Sequence, residues 1–274
     1  MSETEKNFQF RGTQRNQEQL KEIFRLLLSV PSGFAVVRGV VQSRALAKKK
    51  IVWLSHPGVK IFFNKAPDAV AGMTDIHSNK ISLSQCAADG HNMLESLLDK
   101  DKISIAATLG HEMRHVMTRY GYLSLMLYAQ TTKEALLAKL LHEEDAYFIG
   151  DRIESELYAS NDTVVVPRSL KERLRKYSGV SGRLMHFNDV MDGNFVWSLT
   201  EMRAAKRRGF CVKQINPEKT MRFQELIETW LKNMGISTSV EAVMNAPILQ
   251  KLDENEPKRP SLFARLFHGG RHVK

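Results

Sequence analysis

Ile103-Ser104-Ile105-Ala106-Ala107-Thr108-Leu109-Gly110-His111-Glu112-Met113-Arg114-His115-Val116-Met117-Thr118 is the stretch on which both the fold and the chemistry of this chain turn. Apolar residues at 105, 106, 109, 113, 116 and 117 return at helical spacing, which predicts an amphipathic helix with Asp101 as its N-cap. On that helix His111 and His115 stand one turn apart on one face, so both imidazoles can reach a single metal ion, and Glu112 falls beside them. Two neutral imidazoles, a third protein ligand and one open position suit a catalytic divalent ion, and an adjacent carboxylate can take a proton from a water polarised there. A random chain of this length and composition would contain H-E-x-x-H about one time in fifty, so the context of the string matters. Gly110 costs helix stability relative to alanine, which implies that another segment approaches the backbone at that point.

The third ligand must come from elsewhere. The metzincin extension would need glycine at 118 and histidine at 121, where this chain has Thr118 and Gly121, and the inverted H-x-x-E-H order is absent. Downstream, residues 136–154 form a second helical pattern with Glu143-Glu144-Asp145 set between Leu140-Leu141 and Tyr147-Phe148. A buried carboxylate needs a partner, which a metal would supply; the alternative is that all three acids face water. A buried stripe of Leu137, Leu140, Leu141 and Phe148 brings Glu144 nearest its centre, whereas Leu136, Leu140 and Tyr147 favour Glu143.

With these motifs the chain resembles the gluzincin branch of the zincin metallopeptidases, among them compact bacterial peptidases that pair H-E-x-x-H with a later helix carrying E-x-x-A. Glu143-Glu144-Asp145-Ala146 fits that second motif with Glu143 as ligand, Glu144 being the alternative, and Ala146 would let the two helices pack closely. The resemblance spans roughly residues 50–158. It implies an α+β fold, a predominantly helical zincin-like domain with a small mixed or antiparallel sheet before the active-site helix. It also implies Zn2+ held by His111, His115 and Glu143, Glu112 as general base, and hydrolysis of peptide bonds in a protein or peptide substrate. Arg114 departs from the family's preference for uncharged residues inside the motif.

A sheet is legible ahead of the helix. The run over 59–63 reads as a strand and 71–84 as a hairpin turning near 77–79, whose second arm, 80–84, is expected at the sheet edge where an extended substrate could pair. His77 and His91 read as surface histidines, and His142 could orient the neighbouring ligand. Tyr120, Tyr122, Tyr147, Arg152, Tyr158 and His186 are all candidates for stabilising an oxyanion, and sequence does not rank them.

Of 274 residues, 43% are hydrophobic and 26% charged, which fits a globular chain with a sizeable core. Cys86 and Cys211 form neither a C-x-x-C pair nor a disulfide framework. No stretch approaches the roughly 18 apolar residues of a membrane span. Residues 1–19 lack an apolar signal core, so residence in the cytoplasm is the default expectation, and export as an effector would need a specialised signal. The formal net charge of +10 is uneven: residues 1–160 carry 20 basic and 18 acidic residues, and residues 161–274 carry 20 and 12. This divides the chain into a metallopeptidase domain over 1–160, a helical basic extension over 161–256 and a basic tail over 257–274. A solvated helical surface accounts for the basic half most simply. The competing function is a non-catalytic binding or regulatory protein on a zincin scaffold, whose basic half contacts nucleic acid, an anionic surface or an acidic partner. Further helices are expected over 17–30, 34–54, 169–177, 198–207 and 217–233, with Pro31-Ser32-Gly33 as a break, a short strand over 163–166, and a loop or short helix over 87–98.

Overall fold

The structure, a computed structural model, describes residues 7–50, 59–64, 72–75, 79–84, 99–161, 166–178, 182–207 and 215–250. In chain order the elements are strand β1 (Phe8–Arg11), helices α1 (Gln14–Leu28) and α2 (Pro31–Lys50), and strands β2 (Val59–Asn64), β3 (Gly72–Asp75) and β4 (Lys80–Ser84). Helices α3 (Asp99–Tyr128), α4 (Thr132–Ala159), α5 (Arg168–Lys176), α6 (Gly182–Arg207), α7 (Pro217–Met234) and α8 (Val240–Met244) follow. The fold is the expected α+β arrangement, mostly helical with a small mixed sheet before the long helices. The expectations for 87–98 and the tail lie outside the described residues, as do Cys86, Cys211, His77, His91 and nearly all of 163–166.

The strand order is β1-β2-β4-β3, with β1, β2 and β4 mutually parallel and β3 antiparallel to β4. This corrects the expected edge. The second arm of the hairpin, β4, is sealed between β2 and β3, and the first arm, β3, ends the sheet. Alternation alone cannot separate two arms of a hairpin, but burial can: Ile81, Ser82 and Leu83 are all buried, whereas Met73 on β3 is 58% exposed. Strand β1 was not anticipated, because four residues are too few for a period of two to stand out. Its Phe8 and Phe10 rings pack on Phe24 of α1 at 4.8 and 5.4 Å, which fixes the N-terminal segment to the core.

Pro31 opens α2 rather than breaking the chain before it, a position where its missing N–H costs nothing. Helices α1 and α2 meet at 110°, and a Cβ on Gly33 would lie 2.0 Å from the Leu27 carbonyl oxygen, so this corner requires glycine. Ser32 donates through its backbone N–H and hydroxyl to the Glu156 carboxylate at 2.8 and 2.6 Å, which ties the start of α2 to the end of α4. Helix α3 starts at Asp99, leaving Asp101 inside it, and runs on to Tyr128. A capping box of Thr131 and Glu134 then starts α4 antiparallel to α3. Helix α6 begins sixteen residues before the expected 198, at Gly182, in a stretch whose Asn188, Asp189, Asp192, Gly193 and Asn194 disfavour helix; buried Phe187, Met191, Phe195 and Leu199 override that propensity through packing.

Two apolar clusters form the interior. The first joins the sheet, α1, α2, the start of α3 and the end of α4, around Phe24, Val37, Ile61, Ile81, Leu109 and Ile153. The second joins the end of α3 and the start of α4 to α6, α7 and α8, around Leu125, Leu137, Leu140, Phe187, Phe223 and Leu231. As α3 and α4 cross from one cluster to the other, they pass through a band of buried polar side chains: Glu112, His115, His142, Glu143, Glu144 and Asp145. No single helix among the described residues is long and apolar enough to cross a membrane.

Candidate metal centre

The H-E-x-x-H string and the acidic group face each other in this polar band because α3 and α4 pack closely there. Gly110 meets the approach its presence implied: a Cβ on it would lie 2.3 Å from Cδ1 of Ile153 on α4. One helical turn away, a Cβ on Gly150 would lie 3.3 Å from the His111 Cβ, and fully buried Ala146 brings its backbone within hydrogen-bonding reach of the His111 ring. A hydrogen bond from one ring nitrogen to that backbone leaves the other for a metal.

His111 Nε2, His115 Nε2 and Glu143 Oε2 converge. The two nitrogens are 3.1 Å apart, and the carboxylate oxygen lies 3.4 Å from His115 Nε2 and 3.8 Å from His111 Nε2. Donors about 2.0–2.1 Å from a tetrahedral zinc ion are separated by about 3.3 Å, so the triangle matches one face of such a coordination sphere. The donor set of two imidazoles and one carboxylate fits the same ion, and these three residues form a candidate metal site. Burial, reinforced by the charge of His115, lowers the pKa of His111 to about 3, so its imidazole is neutral, the form that binds metal. For Glu143, burial pulls upward but the charge and hydrogen bond of His115, followed by those of Lys139, hold it well below the usual carboxylate range.

Glu112 lies alongside, 5% exposed. The Thr74 hydroxyl on edge strand β3 donates to Glu112 Oε2 at 2.6 Å, with the Glu112 carbonyl oxygen a second acceptor at 3.1 Å. Gly72 on the same strand has no room for a side chain, since a Cβ would lie 2.9 Å from Glu112 Oε1. Burial raises the pKa of Glu112, with His115 and the Thr74 hydrogen bond opposing it. Thr74 was not anticipated, and no local signal could have marked it, because it reaches Glu112 from 38 residues away.

The three acids do not face water: Glu143, Glu144 and Asp145 are 5%, 0% and 4% exposed. Each has its own cation. Glu144, the alternative ligand, turns toward α6, where it accepts from Arg183 Nη2 at 2.9 Å and pairs with His186 Nδ1 at 2.8 Å. Asp145 takes a two-pronged contact from Arg114, at 2.8 Å to Nε and 3.1 Å to Nη2, so the residue that departs from the family motif is a structural partner and not a solvated charge. Glu143 receives Lys139 Nζ at 2.7 Å on Oε1, the oxygen that does not meet the imidazole nitrogens. The spacing of four residues on one helix could have flagged Lys139 as a partner of Glu143. His142 approaches His115, its Nε2 3.4 Å from His115 Nδ1, instead of the neighbouring Glu143, and its ring stacks on Tyr122 at 4.5 Å.

Geometry also ranks the oxyanion candidates. Tyr122 is stacked on His142, Tyr120 accepts from Arg119, Arg152 pairs with Glu156, Tyr158 is buried in the core and His186 is held by Glu144. Tyr147 packs edge-on against His111 with ring centroids 4.5 Å apart and is 41% exposed, which makes it the one candidate both beside the triad and open to solvent. Comparison of the chain with protein-family models, with curated proteins and with solved structures gives no match.

Proposed function

We propose that this protein is a zinc-dependent metallopeptidase of gluzincin type, with His111, His115 and Glu143 as metal ligands and Glu112 as general base. The convergence of two imidazole nitrogens and one carboxylate oxygen from α3 and α4, with Glu112 beside them, carries the reading. A bound Zn2+ supplies Lewis acidity and lowers the pKa of water to about 7. Glu112 accepts a proton from the attacking water and passes it to the leaving amine, and the Thr74 hydroxyl holds its carboxylate in place. Tyr147 is the donor we assign to the negative charge developing on the peptide carbonyl oxygen. Strand β3 pairs only with β4 among the described residues, so its outer edge suits the backbone of an extended peptide, a geometry that favours peptides over other acyl substrates.

The test is elemental analysis of the full chain, prepared without chelator, together with cleavage of a mixed peptide library. The expected result is one equivalent of zinc and hydrolysis in the wild type, and retained zinc with hydrolysis lowered at least ~100-fold in Glu112→Gln. An active Glu112→Gln protein overturns the mechanism, and a metal-free wild type overturns the site.

A further inference from the structure

The two oxygens of Glu143 are divided between different partners. Oε2 faces the nitrogens of His111 and His115, and Oε1 is taken by the ammonium of Lys139 at 2.7 Å. Lys139 is itself largely enclosed, its side chain 14% exposed, and the indole of Trp197 on α6 covers it with the ammonium 4.5 Å from the ring centroid. Burying a lysine is costly unless it is paired, and this one is paired with a ligand carboxylate and capped by an aromatic face. A carboxylate with both oxygens available can bind a metal through either one or two; with one oxygen engaged by a strong donor, binding through the other alone is favoured.

We propose that Lys139, held by Trp197, is a positioning residue that restricts Glu143 to one-oxygen coordination and so keeps an additional position at the metal open. This rests on the metal-site reading above. In this role Lys139 acts through the carboxylate it contacts. Its positive charge also offsets that of Glu143.

Co2+ titration of the metal-stripped full chain reads coordination directly, because a four-coordinate cobalt site absorbs several-fold more strongly in the visible than a five-coordinate one. The wild type is expected to show the strong four-coordinate band. Lys139→Met, which fills the same space without a donor, is expected to bind Co2+ with that band reduced several-fold as Oε1 becomes a second donor. Lys139→Gln keeps an N–H donor without the charge and is expected to retain the strong band, which also guards against a Met variant that folds poorly. Circular dichroism on each variant reports folding independently of metal.

An unchanged cobalt spectrum in Lys139→Met, or loss of the strong band in both variants, overturns the role of Lys139 while leaving the site intact. A wild-type protein that takes up neither Co2+ nor Zn2+ overturns the metal site, and the role of Lys139 with it.

Discussion

Glu143 and Glu144 are adjacent, chemically identical and both buried, yet they belong to different parts of the molecule. About 100° of helix rotation turns one toward α3 and the other toward α6. On the α3 side, Glu143 meets two imidazole nitrogens at separations that leave room for an ion. On the α6 side, Glu144 meets a guanidinium and an imidazole at 2.9 and 2.8 Å, contact distances that leave no such room. The contrast shows that burial of an acid does not by itself mark a functional site. What distinguishes them is the partner set: both oxygens of Glu144 are closed off by Arg183 and His186, whereas Glu143 gives one oxygen to Lys139 and turns the other toward two imidazole nitrogens spaced around a gap.

The most severe way to break this comparison is to remove each acid. Glu143→Ala is expected to lose bound zinc and with it all hydrolysis, whereas Glu144→Ala retains zinc, both read by elemental analysis; the reverse pattern would exchange their roles. The cost of Glu144→Ala is expected in stability instead, because Arg183 and His186 are left without their buried partner. Breaking a buried pair costs about 3–5 kcal/mol, which lowers the melting temperature by about 10 °C in a chain of this size.

Thr74 sharpens the active side. Thr74→Val removes the hydrogen bond to Glu112 Oε2 without changing side-chain shape, and kcat is expected to fall about 10-fold with zinc content unchanged. On the structural side, Arg114→Ala leaves buried Asp145 without its two-pronged donor and is expected to cost about 1–3 kcal/mol in denaturant unfolding, with little effect on metal affinity.

The smallest effect concerns pH. Burial lowers the affinity of His186 for its proton, but the hydrogen bonds it donates to Asp151 and Glu144, and their charges, more than reverse this, so its pKa is raised. A histidine raised in the folded state contributes stability that is fully present below its unfolded pKa of about 6.5 and is lost as pH rises through the folded value. The melting-temperature difference between wild type and His186→Gln is therefore expected to shrink from pH 6 toward pH 9, each pH in that span being on the order of the histidine range or above it. A difference that grows over this interval would mean that His186 is held neutral.

Legibility in the sequence followed the range of the interaction. The helix around His111 and His115, the hairpin of β3 and β4, and helices α5 and α7 could be read because their patterns repeat within a few residues. Strand β1 was too short for its alternation to register, and the first sixteen residues of α6 were hidden by poor helix formers that tertiary packing overrides. The identity of the edge strand could not be read at all, since it depends on which arm meets β2, itself at least sixteen residues away. Within the site, Lys139 was accessible through its four-residue spacing from Glu143, but Thr74 was not.

The sequence by itself determined the paired histidines with their glutamate, because residues four apart on a helix share a face whatever surrounds them. It also placed three acids, Glu143, Glu144 and Asp145, in an apolar stretch of a second helix, where Glu143 or Glu144 stood as the candidate third ligand. Only the tertiary structure decided that Glu143 faces the histidines and Glu144 the clamp on α6, that Arg114 is engaged by Asp145, and that β3 presents the edge. The physical reason is that local periodicity encodes what lies within one turn. The partners that make a buried polar group catalytic or structural arrive from segments that only the packed fold brings together.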